Sequence, residues 1–257
     1  MIKLVASDVD GTILKYSESN LRESIFDMVD KLSEKGILFV AASGRPLCEL
    51  KALFEPVAHK MGFVCNDGAL TLLGNEVIDI NPIDVIQAVR LINDIYSFED
   101  CEFMAYCKDK AYIKPKKESY AISAKELLCG HDVKISSADE IEEEILKIAV
   151  YNADGIADIQ EYFLPKYGET FEVAYAANEW IEFNATGISK AVGIRKLIDR
   201  LGITSEQCMA FGDSFNDITM FESVKYSFAM ESAKEEVKKH CSFLCKNVEE
   251  TVRKILL

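Results

Sequence analysis

Over the first quarter of the chain, short apolar runs alternate with amphipathic stretches. Residues 2–7 form a largely apolar run of strand length. From residue 20 to 35, Leu21, Ile25, Met28, Val29 and Leu32 recur on one helical face, and Gly36 ends that helix. Residues 37–42 read as a second buried strand, 46–60 as a helix and 62–65 as a third strand. This alternation of strand and helix predicts a parallel sheet with crossover helices.

The rhythm then changes. Residues 84–96 read as a helix, and 102–107 and 111–114 as a hairpin across Lys108-Asp109-Lys110. A strand at 145–151 and a helix at 156–167 follow, then a second hairpin of 171–176 and 180–183 around Ala177-Asn178-Glu179. Hairpins with interspersed helices predict an antiparallel sheet, hence a separate α+β unit with borders near Pro82 and Asn184. The acidic run 140–144 reads as a solvated helix face. After Gly187 the α/β rhythm returns: helix 189–201, strand 208–211, helix 215–221, strand 226–229 and two more short elements. The expected fold class is therefore α/β, with a core from residues 1–82 and 184–257 and an α+β domain, 83–183, inserted in an exposed loop.

The bulk numbers narrow the function classes. With 257 residues, 49% hydrophobic and 28% charged, the chain is long enough and apolar enough for a well-buried core. Its net charge of −14 repels nucleic acid and anionic lipid, so neither is an expected partner. The same field opposes an anionic substrate, so any phosphate site must be locally electropositive. No signal-peptide pattern opens the chain, and no uncharged run approaches 18 apolar residues. Eight cysteines occur without a CxxC, and the three histidines do not stand at zinc-finger spacing from them. Scattered thiols of this kind suit the cytoplasm.

Four short segments carry candidate chemistry. Asp8-Val9-Asp10-Gly11-Thr12 directly follows the first strand, so both carboxylates are expected in the crevice at the strand's carboxyl end. Paired carboxylates suit a hard cation such as Mg²⁺, and Thr12 offers a hydroxyl to hold one of them. The same Asp-Gly also suits a plain surface turn. Ser43-Gly44-Arg45-Pro46 follows the second strand and could cradle phosphate, or Ser43 could simply cap a helix. Gly212-Asp213-Ser214-Phe215-Asn216-Asp217 follows another apolar strand, with helix capping again the plainer alternative. Lys190 stands at the start of a helix, where a lone lysine is normally a solvated charge.

In this order the four pieces resemble the motifs of the haloacid dehalogenase superfamily of phosphohydrolases. Asp8-Val9-Asp10-Gly11-Thr12 looks like the first motif, Ser43 the second, Lys190 the third, and Gly212-Asp213 with Asn216-Asp217 the fourth. The insertion resembles the large α/β cap of the Cof-like subfamily, over a Rossmann-like core. The resemblance implies a phosphatase in which Asp8 is the nucleophile and Asp10 the general acid and base. It implies Mg²⁺ held by the Asp8 carboxylate, the Asp10 carbonyl and Asp213, with Asp217 at or beside the ion. Ser43, Gly44, Arg45, Lys190 and Asn216 would meet the phosphoryl group of a small-molecule phosphate ester. The insert is expected to act as a lid that reads the leaving group, with 180–183 as candidate readers, in a monomer or homodimer. A sugar phosphomutase and a non-enzymatic phosphometabolite sensor are the competing classes; intact Asp8 and Asp10 argue against the sensor. Two segments depart from the subfamily's pattern: Asp67 stands where Asn is usual, and Glu231-Ser232 where Gly-Asn is usual.

Overall fold

The computed structural model describes residues 1–256. The chain divides into two compact units, one of Met1–Arg45, Leu50–Asp79 and Ser189–Leu257, the other of Pro46–Glu49 and Ile80–Ile188.

The first unit opens with β1 (Leu4–Ser7), α1 (Glu23–Glu34), β2 (Leu38–Ala42), α2 (Leu47–Leu53), β3 (Gly62–Cys65), β4 (Leu70–Leu73) and β5 (Glu76–Ile80). The helix expected over 46–60 stops early. Pro56 lacks the N–H that would continue it, and only a 3₁₀ turn, Ala58–Lys60, follows. β4 and β5, on either side of Gly74-Asn75, were not expected.

The inserted unit holds α3 (Val85–Ser97), β6 (Glu102–Tyr106), β7 (Ala111–Ile113), α4 (Glu118–Leu127), β8 (Asp132–Lys134), β9 (Lys147–Tyr151), α5 (Ala157–Tyr167), β10 (Phe171–Ala177) and β11 (Trp180–Ala185). Its six strands run in the order β10-β11-β9-β6-β7-β8, antiparallel except for β7 beside β8. Alternate residues face opposite ways along a strand. Phe103, Ala105, Ile148, Val150, Ile181 and Phe183 join Leu91, Ile95, Ile159 and Phe163 of α3 and α5 in one core. Met104, Tyr106 and Ala149 join Tyr120, Ala124 and Leu128, at and just beyond α4, in another. This corrects one expectation: Ile181 and Phe183 are spent on packing, so of 180–183 only Trp180 and Glu182 lie on the other face. Glu182 pairs there with Lys147 at 2.7 Å, and Lys147 Nζ stands 4.8 Å above the Tyr106 ring. The run 140–144 is not a helix face either. Ser137 caps a single 3₁₀ turn, Ala138–Glu140, in a capping box, and the chain then continues as loop.

The first unit resumes with α6 (Lys190–Leu201), β12 (Cys208–Gly212), α7 (Ile218–Glu222), β13 (Tyr226–Met230), α8 (Glu235–Lys238), β14 (Phe243–Cys245) and α9 (Val248–Leu256). Its sheet order is β14-β13-β12-β1-β2-β3-β4-β5, parallel from β14 through β3 and antiparallel between β3 and β4. Leu4 and Ala6 pack with Ile194, Leu197, Met220 and Phe221 of α6 and α7. Phe39, Phe54 and Phe63 form a ring cluster with centroids 6.3 and 6.5 Å apart. β1 is buried along its whole length, as a central parallel strand covered on both faces must be. The strand order reverses at β1, with β2 on one side and β12 on the other. That is the crevice where open α/β sheets bind ligands. No helix among the described residues is long and apolar enough to cross a membrane.

Candidate active site

The three strands meeting at this crevice each deliver candidate residues one to three positions beyond their carboxyl ends. β1 leads to Asp8 and Asp10, β2 to Ser43, and β12 to Asp213. Two glycines make the convergence possible. Gly11 takes φ +83°, and a Cβ there would overlap the Asp213 carboxylate; a Cβ at Gly212 would lie 2.5 Å from the Asp217 carboxyl carbon. Neither position has room for a side chain. Thr12 Oγ1 donates to Asp213 Oδ1 at 2.9 Å, and Tyr16 Oη to Asp213 Oδ2 at 3.2 Å. Carboxylate oxygens of Asp8, Asp213 and Asp217 all lie within 4.8 Å of one another.

Lys190 is not the solvated lysine that its position at a helix start suggested. It is 1% exposed, and its Nζ donates to Asp8 Oδ1 at 2.5 Å and to Asp217 Oδ1 at 2.6 Å. The other Asp217 oxygen accepts the backbone N–H groups of Asp213 and Ser214, each at 2.9 Å. Asp217 thus holds the loop that presents Asp213 and also anchors Lys190. Burial works against the charge on Lys190, but Asp217, Asp8 and Asp67 outweigh it and hold its pKa above the ordinary value. Burial pushes the Asp8 carboxyl well up, opposed by Lys190 and reinforced by Asp217. Asp213 is raised by burial too, with the Thr12 hydrogen bond opposing. Carboxylates crowded to this degree favour a bound cation.

Asp10 lies apart from that cluster, 35% exposed at its side chain. Arg45 grips it side-on, Nη2 to Oδ1 at 2.7 Å and Nε to Oδ2 at 2.8 Å. Arg45, expected at the phosphate, therefore has its guanidinium on the proposed acid. Ser43 is buried, and its Oγ accepts the Arg45 backbone N–H at 3.2 Å, the capping role weighed above. Asn216 Nδ2 donates to Asp67 Oδ1 at 2.9 Å. Asp67 was noticed in the sequence only as a departure, with no role; its buried carboxylate lies against Gly44 as well.

Residues 5–255 match the family of haloacid dehalogenase-like hydrolases. The chain belongs to this family. Within it, the inserted unit marks the Cof-like subfamily. The chain is 26% identical over 233 residues to the 5-amino-6-(5-phospho-D-ribitylamino)uracil phosphatase YbjI of Escherichia coli, covering 90% of this chain and 86% of that one. It is 26% identical over 263 residues to YcsE of Bacillus subtilis, which bears the same activity name, covering 99% and 94%. A solved haloacid dehalogenase-like hydrolase from Bacteroides thetaiotaomicron shares the fold at a TM-score of 0.87 and 20% identity, with both chains fully covered. Family and aspartate cluster together make this hydrolase a phosphatase that acts on a small phosphorylated metabolite through an aspartate nucleophile. The second departure from the subfamily pattern is peripheral in its bonding. Glu231 and Ser232 are exposed after β13, and Glu231 faces Lys246 at 3.8 Å.

Proposed function

We propose that the enzyme is a Mg²⁺-dependent phosphatase that forms its aspartyl-phosphate on Asp8 and acts on a sugar phosphate or a phosphorylated cofactor. The observation that carries this reading is the buried Asp8 carboxylate, placed between Lys190 and the Asp213–Asp217 loop at the reversal of strand order. Asp8 attacks phosphorus, and the bond to the leaving oxygen breaks as the new P–O bond forms. Asp10 gives that oxygen a proton. It then takes one from the water that attacks the acyl phosphate, so inorganic phosphate leaves and Asp8 is restored. Lys190 offsets the charge on the transferring group, Ser43, Gly44 and Asn216 bind it, and Arg45 aims Asp10. The all-oxygen donor set fits Mg²⁺. The Asp8 carboxylate, the Asp10 carbonyl and Asp213 would hold the ion, with Asp217 bracing their loop. Bound there, it would supply the charge that lets an anionic carboxylate approach an anionic phosphate.

The names of the two curated relatives make 5-amino-6-(5-phospho-D-ribitylamino)uracil the first substrate to try on this chain. All eight cysteines are free thiols, which suits a reducing, cytoplasmic setting. The decisive experiment measures phosphate release from that compound and a panel of sugar phosphates, with Mg²⁺, after chelation, and after Mg²⁺ is restored. Release that stops on chelation and returns with Mg²⁺ is expected. Full turnover by metal-free protein overturns the metal assignment, and a requirement for a bisphosphate activator would make the enzyme a mutase.

A further inference from the structure

The turn Asn66–Gly68 after β3 is tied to three parts of the site at once. The Asp67 N–H donates to the Ser43 carbonyl at 3.1 Å, and the Asn66 N–H to the Arg45 carbonyl at 3.0 Å. Gly68, at φ +109°, packs so closely on the Ser189 carbonyl before Lys190 that a Cβ would overlap it. Asp67 itself is held in the left-handed region, φ 56° and ψ 22°, with 7% of its surface exposed. One of its oxygens accepts from Asn216 Nδ2 at 2.9 Å; the other would lie 3.1 Å from a Cβ built on Gly44.

A carboxylate only accepts, whereas a carboxamide has one accepting and one donating end. Opposite a carboxylate, Asn216 must present its NH₂ end, so its flip is decided and its second N–H is aimed. Opposite a carboxamide, Asn216 could meet its partner by either end. We infer that Asp67 is a positioning residue that fixes the Asn216 carboxamide for the phosphoryl group and joins the β2 loop to the Asp213–Asp217 loop. The inference rests on the phosphatase reading above and on Asn216 as a phosphoryl contact.

The test is a double-mutant cycle with p-nitrophenyl phosphate and saturating Mg²⁺. Asp67→Gly and Asp67→Asn both suit a left-handed backbone, so neither strains the turn. Asp67→Gly and Asn216→Ala should each lower kcat by about tenfold with KM within about threefold, and the double variant should fall no more than about threefold below either single. Asp67→Asn keeps one acceptor but leaves the Asn216 flip undecided, so its kcat should fall between those of the parent and Asp67→Gly. Losses that multiply to about a hundredfold in the double would mean Asp67 and Asn216 act independently, and the inference fails. It fails also if Asp67→Gly or Asn216→Ala turns over at the parental rate. In both cases an active parent leaves the phosphatase reading standing. A parent that releases no phosphate from any ester removes that reading, and this inference with it.

Discussion

Each unit of the molecule buries a lysine against carboxylate, and the two are built differently. Lys190 bridges Asp8 and Asp217, which lie 182 and 27 residues away in sequence, and also feels Asp67. Lys147 meets Glu182 on the neighbouring strand of one sheet, over the Tyr106 ring. The cluster around Lys190 has more carboxylates than ammonium groups and is assembled from loops. The bond from Lys147 to Glu182 joins neighbouring strands inside regular structure. A site that must receive a cation and a phosphoryl group carries an excess of charge, drawn from distant parts of the chain.

The sharpest way to break the comparison is at Asp8. Asp8→Asn keeps the shape and removes the attacking charge, so phosphate release should drop by at least about a thousandfold while circular dichroism stays unchanged. Activity within about tenfold of the parent would exclude Asp8 as nucleophile. Next is Lys190→Ala. Because the ammonium is buried, its loss leaves two carboxylates facing each other. We expect a loss of about 3–5 kcal/mol in urea unfolding of metal-free protein, together with weaker vanadate binding. Unchanged stability would mean that other groups already satisfy Asp8 and Asp217. On the other side, Lys147→Ala should cost about 3 kcal/mol, and Lys147→Met with Glu182→Leu, which removes both charges of that bond, should lie closer to the parent than Lys147→Ala does. A double variant as unstable as the single would show that this pair, too, is wanted for more than packing.

The smallest effect is expected at Asp94, where Lys166, Tyr167 and Tyr162 all reach one carboxylate oxygen. Burial pushes Asp94 up, and these donors outweigh it, so its folded pKa lies below the ordinary value. A depressed carboxylate stabilises the fold above its unfolded pKa of about 3.9 and loses that contribution as pH falls through the folded value. Asp94→Asn should therefore cost about 1 kcal/mol at pH 7, and the gap should close at a pH below the folded value. A gap of the same size at both pH values would assign the effect to shape instead of charge.

What the sequence disclosed follows the same divide between local and distant. β1, β2, β3 and β12 are legible because each is a short apolar run ending in an Asp- or Gly-bearing turn. The β4–β5 hairpin had its signal in Gly74-Asn75, which went unread. α4 and β8 were missed for a physical reason. α4 buries only Tyr120, Ala121 and Ala124 while exposing Ile122 and Leu127, so its face is blurred, and the three residues of β8 include none that is buried. At the site, Asp8, Asp10, Asp213 and Asp217 announce themselves by their turns. The burial of Lys190, the grip of Arg45 on Asp10 and the bond from Asn216 to Asp67 depend on partners that no local pattern reveals.

The strand order also imposes a timetable. β1 leaves the ribosome with β2 following it, but β12, its neighbour on the other side, belongs to the last quarter of the chain. Lys190 comes 182 residues after Asp8. At ordinary translation speeds that separation lasts roughly 10–40 s. During that interval β1, apolar but for Ser7, has an unpaired edge while the entire inserted unit is being made. The newborn chain is therefore most exposed to aggregation before its final quarter emerges and β12 covers the β1 edge.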